Sequence, residues 1–102
     1  MSETSTSGFV RIDNRFIRDY APRIGAHAVA VYLVLALHAD ATTRQCFPSM
    51  RTISRLSKLS RPTVLRAIGI LEEERLIKVE RRRRARGDRE VNRYTLLPIT
   101  GG

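Results

Sequence analysis

The sequence has 102 residues, 42% of them hydrophobic, which is enough for one buried core, too little chain for two, and too apolar for a disordered segment. Lys and Arg number 19 against 10 Asp and Glu, a net charge of +9 that attracts polyanions, either nucleic acid or an anionic membrane. The single cysteine, Cys46, excludes an internal disulfide and a thiolate metal cage, and reads as a small buried apolar residue in a reducing compartment.

The charge is unevenly placed. Residues 1–50 hold five Lys/Arg and four Asp/Glu, whereas residues 51–102 hold fourteen and six. The excess therefore sits in the second half, as a localised binding face requires.

Residues 1–8 are polar and Ser/Thr-rich, read as a disordered tail with no secretion signal. Phe9 to Ile12 reads as a short extended piece. Asp13 is placed to cap a short helix over Asn14 to Tyr20, with Phe16, Ile17 and Tyr20 inward, and Ala21-Pro22 is read as its break. A longer helix is expected from about Gly25 to Ala39. Val29, Leu33 and Leu37 recur at i, i+4 and i+8 as one stripe, and Val31, Tyr32 and Leu35 widen the apolar surface. A helix apolar on most sides needs cover, either from the N-terminal segment or from a second subunit; a homodimer is the favoured expectation. The apolar run Ala28–Leu37, ten residues, is short of the about 20 that cross a bilayer, so no membrane contact is expected.

Asp40 to Gln45 is a polar loop, and Cys46-Phe47 a short extended stretch. Ser49 is an N-cap for a helix over Met50 to Ser57 whose apolar positions are Met50, Ile53 and Leu56. Lys58-Leu59 makes a tight turn. Ser60 is a second N-cap, and Pro62 falls in the first turn of a helix from about Arg61 to Glu74, where its missing N–H costs nothing. Val64, Ile68 and Leu71 form the inner face of that helix. Two short, separately capped helices joined by a tight turn form a helix-turn-helix, whose second helix enters the DNA major groove.

On that second helix Pro62, Arg66 and Gly69 lie opposite the inner face, flanked by Thr63 and Ile70. Arg66 is the leading candidate for a base contact, since Arg pairs bidentately with guanine. Thr63 suits a thymine methyl or a phosphate, and Arg61 a base or a phosphate. Ser60 lies beside the free N–H groups of the helix start. Arg51 and Arg55, on the first helix, are phosphate candidates, which position without specifying.

After Arg75 the pattern becomes two-fold. Leu76 to Arg81 and Val91 to Leu96 alternate as half-buried strands, with a Gly87-Asp88 turn signal in the loop between them. That loop carries Arg82, Arg83, Arg84, Arg86 and Arg89, proposed as contacts to phosphate or the narrow minor groove. The expected fold is mainly α with a small β-hairpin, an α+β winged helix-turn-helix over residues 9–97, with 98–102 as a C-terminal tail.

Phe47-Pro48-Ser49, Ile53-Ser54, Leu59-Ser60-Arg61-Pro62-Thr63-Val64, Arg66-Ala67-Ile68, Leu71-Glu72-Glu73, Leu76-Ile77-Lys78-Val79 and Asn92-Arg93-Tyr94 together resemble a bacterial winged helix-turn-helix family. The resemblance implies the DNA-binding proteins of plasmids, phages and mobile elements, among them replication initiators and small regulators; the expected role is transcription regulation, replication initiation or partition, in the cytoplasm on the nucleoid or a plasmid. The chain departs from that family at Lys58, where many members have Gly, and at Leu65, Gly69 and Ile70, which replace usually polar positions. Leu65 and Ile70, read as exposed, are open to a thymine-methyl or a subunit contact.

No nucleophile, metal cluster or phosphate-cradling glycine loop is found, so neither an enzyme nor a cofactor or small-molecule ligand is expected. His27 and His38 are eleven residues apart on one helix, about 16 Å at ~1.5 Å per residue, too far to share a metal. Two alternatives stand beside duplex DNA: a module that binds RNA or an acidic protein, and the DNA-binding fragment of a larger replication initiator.

Overall fold

A computed structural model describes residues 8–83 and 90–99. A π-helical turn over Phe16–Tyr20 leads into α1 (Ala21–His38). β1 (Gln45–Cys46), α2 (Met50–Ser57), α3 (Arg61–Glu73), β2 (Ile77–Arg83) and β3 (Glu90–Leu96) follow. The strands form an antiparallel sheet in the order β1-β3-β2. This is an α+β winged helix-turn-helix.

Asp13 caps the first helical turn as its position predicts: its Oδ1 accepts the Arg15 N–H at 2.8 Å, and its backbone carbonyl accepts that of Phe16. The Arg15 guanidinium closes on the same carboxylate, and these hydrogen bonds hold the Asp13 pKa down to about 2. The expected break at Ala21-Pro22 does not occur. Pro22 lies inside a helical run that begins at Asn14, passes through the π-helical turn and continues to Ile24. The chain bends instead at Gly25, whose φ of 89° and ψ of 165° lie in a region only glycine enters readily.

The buried face of α1 also differs from the expected stripe. Ala28, Val31, Tyr32 and Leu35 are in the core, whereas Leu33 and Leu37 are exposed and Val29 is half-buried. Both stripes are apolar, and tertiary contact chooses between them: the Tyr32 ring stacks on Phe16 at 4.1 Å between centroids. Ile17, next to Phe16, points outward. By length and composition Phe16–His38 is also a candidate membrane span, longer than the ten-residue run suggests, yet one side of it is the core of this domain.

α1 packs against α2 and α3, and Ile53, Val64, Ala67, Ile68 and Leu71 close the core from those helices. Each fully buried aliphatic side chain there stabilises the fold by about 1.5–3 kcal/mol. Leu56, expected inward, is exposed; α2 meets the core through Ile53 and Met50. Leu59, in the turn, packs against the core as expected. Leu76 and Ile77 are both buried although adjacent, because Arg75 (φ 60°) turns the chain between helix and strand.

Register then orients the hairpin. Ile77 opposes Leu96 and Val79 opposes Tyr94 on the inner face, while Lys78–Thr95 and Glu80–Arg93 occupy the outer one.

Lys58 ends α2 in the left-handed conformation, with φ of 63° and ψ of 27°, and its N–H bonds the Ser54 carbonyl at 2.8 Å. A side chain there strains the backbone, which explains why glycine suits this turn. Lys58→Gly is expected to stabilise the DNA-free domain by about 0.5–1 kcal/mol. A urea titration checks this, and an unchanged or lowered midpoint contradicts it.

Candidate nucleic-acid interface

The helix-turn-helix is held by two copies of one cap. In Ser49-Met50-Arg51-Thr52 the Ser49 Oγ accepts the Thr52 N–H at 3.0 Å and donates to the Thr52 hydroxyl at 3.0 Å. In Ser60-Arg61-Pro62-Thr63 the Ser60 Oγ accepts the Thr63 N–H at 3.4 Å and donates to the Thr63 hydroxyl at 3.0 Å. Each cap satisfies one orphan N–H and fixes where its helix begins. Ser60 is thus engaged within the protein, and Thr63, half-buried, receives its hydroxyl.

α3 buries Val64, Ala67, Ile68 and Leu71 and leaves Arg61, Pro62, Leu65 and Arg66 exposed. Arg66 therefore projects outward from the face opposite the core. Ile70, expected to be exposed, is half-buried and packs on the core; Leu65 is exposed at 49%. Arg66 and Thr63 also border an open groove of 310 Å³, whose far wall is Ile24 to His27 around the Gly25 bend.

The electrostatics separate this region from the rest of the domain. Residues 41–71 contain Arg44, Arg51, Arg55, Lys58, Arg61 and Arg66 and no Asp or Glu. Among the described residues none of these six cations forms a salt bridge, and Arg51, Arg55, Lys58, Arg61 and Arg66 are all exposed. The acids pair elsewhere: Glu74 with Arg23, Glu72 with Arg81, and Glu80 with Lys78 and Arg93. The Arg93 hydrogen bond is the main cause of a lowered Glu80 pKa. Lys58, considered from the sequence only for its backbone, belongs to the unpaired set. The absence of acids from residues 41–71 was the signal that would have included it.

The Arg81–Glu72 ion pair, 3.2 Å long, ties β2 to the C-terminal half of α3 and so fixes the base of the hairpin against the helix. The ladder continues through Arg82–Val91 to Arg83–Glu90. The backbones of Arg82 and Arg83 thus belong to β2. Arg84, Arg86, Arg89 and the Gly87-Asp88 turn lie outside the described residues.

Cys46 is buried, and burial pushes its thiol up to about 12, so it stays protonated at neutral pH. Among the described residues no group of three His, Cys, Asp or Glu side chains is placed to hold a metal.

A family model described as a helix-turn-helix domain matches residues 23–77, which is 55 of the 102 residues and runs from α1 to the first residue of β2. Comparison with curated proteins and with solved structures finds no match.

Proposed function

The chain belongs to the helix-turn-helix domain family, and from that premise we propose that it reads a specific sequence in double-stranded DNA, with α3 in the major groove and the Arg-rich hairpin on the backbone or minor groove. The observation that carries this reading is the outward face of α3, where Arg66 stands exposed and unpaired in a segment that holds six cations and no acid. A guanidinium in that position suits guanine O6 and N7. Arg51 and Arg55 on α2, with Arg61 at the start of α3, suit the flanking phosphates. Arg82, Arg83, Arg84, Arg86 and Arg89 add five cations to the sequence of this region for the backbone or the minor groove.

In this reading the protein is not an enzyme. It acts in the cytoplasm, on the nucleoid or a plasmid, as a transcription regulator or as a replication or partition protein of a mobile element. It binds as a homodimer, because two copies of α3 can read two half-sites one helical turn apart.

Selection of bound duplexes from a random pool, followed by fluorescence anisotropy on the recovered site, tests the proposal. Arg66→Ala is expected to cost about 1–3 kcal/mol, roughly 5- to 150-fold, on the selected site and much less on random duplex. No enrichment in the selection, or structured RNA displacing the duplex, would overturn it. A tandem array in the recovered site favours replication or partition, and a single palindrome favours repression.

A further inference from the structure

We propose that the outward face of α1 is the dimer seam, and that it pairs with the same face of a second copy in antiparallel register about a two-fold axis between Ala30 and Leu33. The inference rests on the homodimer of the functional reading and names the surface that forms it.

Ala26, Ala30, Leu33 and Leu37 follow one another at spacings of four, three and four residues, the alternation of a helix–helix seam. On a 100° wheel they lie within about 60° of one another. They are directly opposite the buried Ala28–Val31–Leu35 face. Leu33 and Leu37 are 44% and 42% exposed, Ala26 is exposed and Ala30 half-buried. Among the described residues none of these four belongs to the core cluster.

Two features select a second copy of the chain as its occupant. The first is charge. Residues 24–39 contain no Lys, Arg, Asp or Glu, sixteen consecutive residues in a chain of net charge +9. Two such chains repel overall, and a surface free of cations is where they approach at least electrostatic cost. The second is size. In an antiparallel pair centred between Ala30 and Leu33, Ala30 faces Leu33 of the partner subunit and Ala26 faces Leu37 of the partner subunit. Each small residue meets a large one, twice over by symmetry, as close packing of two helices needs. A parallel pair would set Leu against Leu and Ala against Ala.

The seam is short, about 16 Å from Ala26 to Leu37 at ~1.5 Å per residue. It therefore forms a weak dimer in free solution that strengthens when both copies engage one DNA molecule. α3 packs against α1, and the Ala26 end of the stripe borders the groove that Thr63 and Arg66 line. Three interhelical spacings of about 8–10 Å separate the two copies of α3 by up to roughly 30 Å, close to one turn of DNA.

Sedimentation equilibrium of the full chain without DNA, over a concentration series, tests the seam. The wild-type chain should approach twice its 11.6 kDa mass at the highest concentrations. Leu33→Glu and Leu37→Glu should remain at monomer mass with unchanged far-UV circular dichroism and melting temperature. Ala30→Leu should weaken the dimer about tenfold by overpacking, and Ala30→Leu combined with Leu33→Ala should regain most of that loss, because the size match is merely reversed. A wild-type chain that is monomeric throughout overturns both the seam and the homodimer, and leaves DNA reading to the Arg66→Ala measurement. A dimer that survives Leu33→Glu, or a double variant no better than Ala30→Leu alone, overturns the seam and leaves the homodimer standing.

Discussion

Affinity for duplex DNA is expected to fall by roughly 10³–10⁵ when salt rises from about 50 to about 200 mM, with a log–log slope near −0.9 for each phosphate neutralised. The cause is the set of cations without internal partners. Arg51, Arg55, Lys58, Arg61 and Arg66 form no ion pairs among the described residues, and each one docked on a phosphate releases a condensed counterion. The arginines at 82, 83, 84, 86 and 89 add to the count in the proposed complex. Replacing those five by serine should make the slope shallower by about four units while leaving the preferred sequence unchanged, since phosphate contacts carry no base information. Arg66→Ala should do the converse, relaxing the sequence preference with little change in slope, because a base contact neutralises no phosphate. A wild-type slope shallower than about −3 in an anisotropy titration would mean that the cationic face does not track a DNA backbone.

The separation of these roles follows from where the acids are. A net charge of +9 spread evenly would leave each Arg near some carboxylate, but the pairing here is segregated. Glu72, Glu74 and Glu80 take Arg81, Arg23 and Arg93, tying together hairpin, α3 and α1, and residues 41–71 have no acid to offer their six cations. Exposed ion pairs of this kind contribute little to stability, at most about 1 kcal/mol each. Their larger effect is to hold the hairpin base against the recognition helix while leaving the helix-turn-helix cations available to a polyanion.

Features that depend on local chemistry were legible before any coordinates. Ser49 and Ser60 cap their helices, and Pro62 starts α3, because a hydroxyl acceptor or a missing N–H acts within one turn of chain. The inner face of α3 followed from Val64, Ile68 and Leu71 alone, since the opposite face carries Arg66 and the contrast is unambiguous. α1 offered no such contrast. With every residue from Ile24 to Ala39 uncharged, the Val29–Leu33–Leu37 and Ala28–Val31–Leu35 stripes are equal by pattern, and only the position of Phe16 and the packing of α2 and α3 decide between them. The bend was misplaced for a related reason. Proline lacks the N–H that an α-helical interior uses, but the π-helical turn over Phe16–Tyr20 runs directly into Pro22 and the helical run continues to Ile24. The conformation of Gly25 is likewise set by the packing on either side of it. Residues 84–89 were legible only as composition, as arginines that no core could accept.

Phe16→Ala should cost about 3–5 kcal/mol. Phe16 is 1% exposed and stacks on Tyr32 with ring centroids 4.1 Å apart and planes 19° from parallel. Such an aromatic pair adds about 0.5–1.5 kcal/mol to the burial of the rings. The truncation leaves a ring-sized void against Tyr32, and that void is bounded by α1, which also packs against α2 and α3, so collapse can recover little of the loss. A domain of this size has a total stability of only about 5–15 kcal/mol, so the variant should melt far below the parent or populate the unfolded state at ambient temperature. Ile17→Ala is the matched control: its side chain is 59% exposed one position along, and its loss should stay within about 0.5 kcal/mol. Urea denaturation of both variants separates the two positions. Equal midpoints would mean that the turn before α1 is not part of the core, and that the Val29–Leu33–Leu37 stripe must be reconsidered as the face α1 buries.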